Sequence, residues 1–430
     1  MALKHSQAHA HTLRPELASM QFTILNDRRF WLLFAFAITL LGFPYGILTD
    51  WITRSGDVYS TNHPGGGDFV VFYVASEMIL QGHFRDLYDP AKFSQTIIDR
   101  YGSDYEMRWL YPPHFLFFIA PIAKLPYLAA WAGFMAASFA FLAAIGRIVW
   151  GKRDIVFWLL VAPSTFLGVL LGQMSFLVGG LMIGSIFLWD RKPILAGILL
   201  GLLTIKPQYG VLIPLVLLLE RRWLVIGVAS ATALVLIGAS ILVFGTAPWH
   251  AFLFGMDGAN SDILTTASKK FLGLQMSVFG SARLLGADLA TAALLQGLSA
   301  LLAVVALVAT TLSGARRDTK IAMLVTATYL VSPYVLFYDL VAPTFVALWL
   351  YFGKEREQPP GILFSALLIF VAVLSFVNGA TVAFGFGSGP IAFFALAIAL
   401  LLRGRAETGR NGRSLRGPLI KGKCREANAA

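Results

Sequence analysis

The sequence predicts an all-α polytopic membrane protein, and three observations carry that prediction. Hydrophobic residues make up 57% of the 430 residues and charged residues only 13%, far from the balance of a water-soluble domain. Apolar runs recur at 30 to 49, 127 to 149, 155 to 189, 194 to 219, 223 to 244, 289 to 313, 321 to 352, 361 to 377 and 381 to 402, and one crossing of ~30 Å of hydrocarbon takes about 20 such residues. Between the runs Lys and Arg gather in short clusters: Arg28 and Arg29; Arg147, Lys152 and Arg153; Arg191 and Lys192; Arg221 and Arg222; Arg316, Arg317 and Lys320; Lys354 and Arg356; and the tail from Arg403 to Arg425.

Those clusters account for the formal charge of +11. Basic residues in short inter-span loops mark a cytoplasmic face, and with no basic stripe interleaved with stacking aromatics the charge does not point to nucleic acid. Residues 1–29 carry basic side chains before the first apolar run and no clear small-residue cleavage site follows it, so the run reads as a retained signal anchor. The one cysteine, Cys424, lies in the basic tail, which excludes an intrachain disulfide and a thiolate metal site.

Placing every basic cluster on one side fixes the path of the chain. The first run leaves the cytoplasm near residue 49, residues 50–112 form an external loop, and 127 to 149 returns. The runs 155 to 189 and 321 to 352 are too long for one crossing and read as hairpins; 194 to 219 reads as a shortened one. The run 223 to 244 leads out to a loop with a dipping segment over 245–288, 289 to 313 returns, and 361 to 402 goes out and back. The sum is about 12 crossings with both termini cytoplasmic. The division expected is a cytoplasmic segment 1–29, a membrane-embedded domain 30–402, and a disordered basic tail 403–430 drawn to anionic lipid.

Within the first loop, "GGGD" before "FVVFYVASEMILQG" reads as a helix with Asp68 at its N-cap and Gly82 past its end. "YDPAKFSQTIIDRYG" reads as a second, with Asp89 as cap, Pro90 at the first helical position and Gly102 as terminator. Neither is long enough to cross, so both are expected at the outer interface, Phe69, Phe72, Tyr73 and Phe84 facing lipid or the bundle. "YPPHFLFFIAPIAKLPY" reads as a short helix dipping into the outer leaflet, bringing Tyr111 and His114 toward the hairpin tips.

Each hairpin tip carries a polar group on the same external side: Gln173 in "LGQMS", Lys206 in "IKPQYG" and Asp339 in "SPYVLFYDL". The arms around Lys206 run to about 13 residues, or ~20 Å of helix, so this tip stops inside the outer leaflet and leaves a recess. A lysine there costs on the order of a few kcal/mol unless water or an anion meets it. Lys206 therefore bridges to Asp339 or Asp68 as a structural pair, snorkels to the interface, or binds an anionic headgroup. Asp68, read locally, is an ordinary cap; His114 is an ordinary satisfied polar residue; Gln173 and Gln208 contact ligand or only backbone; and Arg283 contacts phosphate or anchors at the interface.

Taken in order, "GGDFVVFYVASEMILQGHFRDLYD", "YPPHFLFFIAPIAKLP", the block from "LLGQMSFLVGG" to "LLTIKPQYGVLIPLVLLLERRW", and "SPYVLFYDL" resemble glycosyltransferase family 87 over most of residues 30 to 350. The resemblance implies a GT-C-like bundle, a polyprenyl-phosphate-linked sugar donor used on the external face, and an acidic residue of the first external loop as base, which on this chain is Asp68. Mannosyl members carry a histidine-containing segment in the later Ser-Pro region, where this chain has Tyr338 and Asp339, so the sugar stays open.

The implied reaction is transfer of a hexose, mannose among the candidates, to a glycolipid, glycan or protein hydroxyl at the periplasmic face of a bacterial inner membrane. Inversion by single displacement would use Asp68 as general base and Lys206, with Arg283, at the departing phosphate; Tyr111, His114, Gln173, Gln208, Tyr338 and Asp339 would bind substrate. No cofactor is expected, and no clustered metal-ligand motif stands near Asp68, although Asp68 and Asp339 could share a divalent cation. A lipid-linked-glycan transporter or flippase competes, as does a glycan ligase or polymerase. A carrier needs polar groups reachable from both sides, whereas here they gather on one.

Overall fold

The computed structural model describes residues 27–41, 66–102, 107–255, 269–353 and 360–414, and among them it contains helices and no strand. The expected first crossing beyond residue 41, the loop up to residue 65 and the tail beyond residue 414, with Cys424, lie outside the described residues.

The chain enters through α1 (Arg28–Leu41). The loop helices are α2 (Phe69–Leu80) and α3 (Pro90–Tyr101). On α3, Asp89 accepts from the Ala91 and Lys92 amides, Pro90 opens the first turn and left-handed Gly102 ends it, all as the sequence predicts. Glu77 of α2 and Arg100 of α3 pair at 2.7 Å, and Asp86 pairs with Lys92 at 2.6 Å.

Of the two environments expected for α2's aromatics, the structure selects the bundle. Almost every α2 side chain is buried, which suits a helix apolar all round, and Phe69 and Phe72 pack on Tyr127, Trp109, Phe115 and Phe134. The Tyr-Pro-Pro segment that follows is a chain of short helical turns wrapped over α2. Ser76 donates to the Ala120 carbonyl at 3.0 Å and accepts from the Ala123 amide at 2.9 Å, and the Tyr73 hydroxyl donates to the Leu125 carbonyl at 3.0 Å. These bonds satisfy backbone groups that broken helix leaves open.

Next comes α4 (Tyr127–Trp150), then the first hairpin: α5 (Asp154–Leu160), α6 (Pro163–Leu170) and α7 (Ser175–Leu188). Pro163 interrupts the ladder between α5 and α6, and the Thr165 hydroxyl takes the Leu159 carbonyl at 2.6 Å. The second hairpin is α8 (Pro193–Leu202) and α9 (Ile213–Leu219), joined by two tight turns around Lys206. Its arms, Pro193–Ile205 and Pro207–Leu219, are too short for a full crossing, as expected. The bundle continues through α10 (Trp223–Phe244), the short α11 (Val278–Leu284) and α12 (Leu289–Leu312). The third hairpin, α13 (Arg317–Val331) and α14 (Val341–Phe352), precedes α15 (Ile362–Ala383) and α16 (Gly389–Ser414). The last pair is shifted from the apolar runs: α15 extends beyond 377 and α16 starts at Gly389, after a turn with left-handed Gly385.

Five described helices, α4, α10, α12, α15 and α16, are long and apolar enough to cross a bilayer. The rest of the expected crossings belong to the first run and to the paired arms of the three hairpins. Hydrophobicity does not drive helix pairing in lipid, so close packing of small residues does. Gly197 and Gly201 of α8 lie so close to α10 that a Cβ would come within 3.0 Å and 2.8 Å of the Val225 and Ala229 carbonyls. Where α13 stops before Pro333, Gln296 donates to the Leu330 and Val331 carbonyls at 2.9 and 3.0 Å, and Ser299 to Leu330 at 3.0 Å.

The basic clusters gather at one end of the bundle. Asp190, between α7 and α8, binds both Arg222 and Arg317, and Glu220 faces the same two guanidinium groups. Arg403 of α16 pairs with Asp318 and Glu407 at 2.7 and 2.8 Å. The three hairpin tips lie at the other end.

Candidate functional site

At the tip end, glycines decide where Asp68 goes. Gly66 and Gly67 have positive φ of 83° and 56°, a region that side chains other than glycine avoid. The turn they form lies on the tip of the first hairpin, where Asp68 donates its amide to the Leu171 carbonyl at 3.0 Å. Gly172, at φ 59°, lies beneath it, and a Cβ there would fall 2.1 Å from the Gly66 carbonyl oxygen. Two backbone segments thus meet without intervening side chains.

Asp68 stands at the N-cap position of α2, as the sequence predicts, but its carboxylate does not cap the helix. The residue is helical (φ −67°, ψ −3°) and makes no side-chain cap bond, because a cap needs an extended backbone to turn the carboxylate back on the first amides. Instead Oδ2 accepts a short hydrogen bond, 2.5 Å, from Gln173 Nε2. Among the described residues the other oxygen meets no donor, and the side chain is half-buried. Burial pushes its carboxyl above the ordinary carboxylate range; the Gln173 amide and Lys206 pull it back, and Asp339 adds to the rise.

The second and third tips supply the ion pair. Lys206 Nζ contacts Asp339 Oδ1 and Oδ2 at 2.8 and 2.7 Å, with side chains only 7% and 2% exposed. The Tyr209 hydroxyl donates to Asp339 Oδ2 at 2.8 Å, and the Tyr329 hydroxyl donates to the Asp339 backbone carbonyl at 2.5 Å. The Lys206 ammonium lies 5.3 Å from the Tyr209 ring centre and 5.8 Å from that of Tyr338, favourable cation–π contacts in a dry setting. Of the two structural partners expected for Lys206, the structure selects Asp339. The pair is not isolated from Asp68: both its charges act on the Asp68 carboxyl.

The remaining predicted residues divide. Tyr111 lies within electrostatic influence of Asp68 and Asp339, its ring packed on Phe72 and Trp109. His114 is buried; Nε2 meets the Thr204 hydroxyl at 3.2 Å, two residues from Lys206, and its ring stacks on Trp249 at 5.7 Å. Its Nδ1 has no hydrogen-bond partner among the described residues, and burial pushes the imidazole down to about 4, so it is neutral at ordinary pH. Gln208 is half-exposed beside Lys206. Arg283 is not joined to this cluster by any described contact; it donates to the Ala287 carbonyl at 2.9 Å at the end of α11.

Three residues of the cluster carry no signal in the sequence read alone. Tyr209 fixes Asp339, the Gly172 contact seats Asp68, and half-exposed Tyr334 lies near both Asp68 and Asp339. "IKPQYG" puts Tyr209 three residues after Lys206, the one local hint available. Among the described residues no group of three or more His, Cys, Asp or Glu gathers as a metal site.

A half-exposed carboxylate with one open oxygen, beside a fixed ammonium and several phenols, can take a proton from a hydroxyl and hold an anion. No curated protein and no solved structure gives a significant match to the chain. The family model for glycosyltransferase family 87 matches residues 109–333, more than half of the chain, a segment that holds the first two hairpins and α13 of the third, with Lys206 inside it and Asp68 and Asp339 outside. The chain is a membrane glycosyltransferase belonging to family 87.

Proposed function

We propose that this enzyme transfers a hexose, mannose among the candidates, from a polyprenyl-phosphate donor to a hydroxyl of a glycolipid, glycan or protein. The reaction takes place in the recess at the hairpin tips, which faces the periplasm of a bacterial inner membrane, both termini being cytoplasmic. The observation that carries this reading is geometric: at the hairpin-tip end Gln173 holds the half-buried Asp68 carboxylate by one oxygen, and Lys206 is held in a buried pair with Asp339.

The residues divide the work as follows. Asp68, oriented by Gln173, uses its open oxygen to take the proton of the acceptor hydroxyl as that oxygen attacks the anomeric carbon. The bond from that carbon to the phosphate oxygen breaks, and polyprenyl phosphate leaves with the electron pair. Negative charge grows on the phosphate, and a fixed cation there lowers the barrier. Lys206 has three N–H donors; the two Asp339 oxygens accept from two of them and leave the third for a phosphoryl oxygen. Asp339 and Tyr209 hold the ammonium still, so little reorganisation accompanies the charge shift. Tyr111, Tyr334 and Tyr338 offer hydroxyls and faces to the sugar, with buried His114 behind Thr204 and Gln208 at the rim. Arg283 remains a proposal only for the outer part of the donor.

A single displacement inverts the anomeric centre. The test is to supply purified enzyme and Asp68→Asn with a panel of labelled polyprenyl-phosphate sugars and to determine the product's anomeric configuration. The reading expects one donor to label an acceptor with inversion, and the variant to lose ~10²–10⁴ of the rate. Wild-type transfer by the variant would remove Asp68 as base.

A further inference from the structure

The opposite end of the molecule holds a cavity of about 230 Å³ that the transfer reaction does not use. It is lined by Arg29, Lys152, Asp154, Trp150, Trp349 and Phe352. Helix α4 measures its separation from the recess: Tyr127, at one end, packs on Phe69 beside Asp68, and Trp150, at the other, lines the cavity. At 1.5 Å per residue that is roughly 35 Å, about the thickness of a bilayer's hydrocarbon core.

The lining has two kinds of charge at once. Arg29 and Lys152 are exposed, and among the described residues neither side chain makes an ion pair. Asp154 is different: its Oδ1 is buried and accepts no hydrogen bond among the described residues. Its place in the first turn of α5 favours an anion electrostatically but gives it no donor. A buried carboxylate oxygen left without a donor is costly, and the setting around it is aromatic: Trp150 and Trp349 meet edge to face at 5.5 Å, and Trp150 meets Phe352 at 6.3 Å.

We infer that this cavity binds the headgroup of a zwitterionic aminophospholipid, its ammonium on Asp154 between the indoles and its phosphate on Arg29 and Lys152. Each half of the lining has its complement. An ammonium in the cavity donates to the open Oδ2 of Asp154, which among the described residues accepts no hydrogen bond either, offsets the charge that buried Oδ1 carries without a donor, and gains cation–π attraction from the Trp faces. A phosphate meets two cations at the depth where a lipid headgroup lies. A glycerol headgroup satisfies the cations and offers Asp154 neutral hydroxyls but no positive charge. A choline headgroup offers charge but no N–H.

The test is native mass spectrometry of the purified full chain, equilibrated with equal amounts of dioleoyl phosphatidylethanolamine, phosphatidylcholine and phosphatidylglycerol. The ethanolamine lipid should be retained about tenfold over each of the others, the ratio given by one charge-assisted hydrogen bond. Asp154→Asn should erase that preference, and Arg29→Gln with Lys152→Gln should weaken retention of all three. The N-methylated series from ethanolamine to choline, run on the wild-type chain, needs no variant and should show retention falling as N–H donors are replaced. Equal retention of phosphatidylglycerol, an Asp154→Asn protein that keeps the ethanolamine preference, or a flat methylation series would overturn the assignment.

Discussion

Lys206 and Asp339 form the pair on which the account can be tested most sharply, because a structural bridge and a phosphate site respond differently to the same substitutions. Lys206→Met leaves the Asp339 carboxylate, 2% exposed, with only the Tyr209 hydroxyl and no counter-ion; Asp339→Leu strands the ammonium in the same way. Removing one member of a buried pair costs about 3–5 kcal/mol, whereas replacing both by apolar groups of similar size is often close to neutral. The double variant should therefore recover most of the stability that either single loses, with a coupling energy of roughly 3 kcal/mol or more. Activity should not follow. With the ammonium gone, kcat/KM for the donor should stay at least ~10²-fold down in the double variant, the scale of losing one fixed charge-stabilising donor. The assays are equilibrium unfolding in detergent micelles and initial transfer rates on the same four proteins. Singles that unfold like the wild type would refute the buried pair. A double variant that regains transfer would refute Lys206 as part of the donor site.

Three further outcomes follow from the site. Asp68→Asn should be at least as stable as the wild type near neutral pH. Burial raises the folded pKa, so this group's stabilising contribution is full below its unfolded pKa and is lost as pH rises through the folded one. Melting temperature against pH should show that decline in the wild type and lack it in the variant. Gln173→Ala removes a bond that lowers the Asp68 pKa, so the acid limb of the rate profile should move to higher pH and the rate fall by about tenfold; an unmoved limb would separate Gln173 from Asp68. Gly172→Ala puts a Cβ against the Gly66 carbonyl at a left-handed position and should cost more than about 2 kcal/mol or displace Asp68. An unfolding midpoint and rate both equal to the wild type would count against the seating of the "GGGD" turn.

The sequence made some of this legible and hid the rest for identifiable reasons. Apolar run length gave the helical membrane class and the shortened second hairpin, because the arms Pro193–Ile205 and Pro207–Leu219 are short by count alone. Polar residues at three hairpin tips pointed to a candidate site, since a lysine or aspartate in an apolar setting needs a reason. Partners were not legible. Gln173 reaches Asp68 across 105 positions and Lys206 reaches Asp339 across 133, distances over which no local pattern selects one acceptor among several. Asp68 misleads locally because Gly-Asp before an apolar helix is the ordinary look of a cap; only the backbone angles of the Gly66–Gly67 turn release its side chain. Arg283 shows the same ambiguity, because an arginine near a helix end reads alike in sequence whether it meets an anion or, as one of its contacts does here, a backbone carbonyl such as that of Ala287.

The most direct measurement is an experimental structure of the protein with a non-transferable polyprenyl-phosphonate sugar. The account predicts the phosphonate on Lys206, the anomeric carbon turned toward the open oxygen of Asp68, and the prenyl chain leaving toward lipid at the hairpin-tip end. A phosphonate bound at the basic end, or a sugar separated from Asp68 by packed side chains, would contradict it.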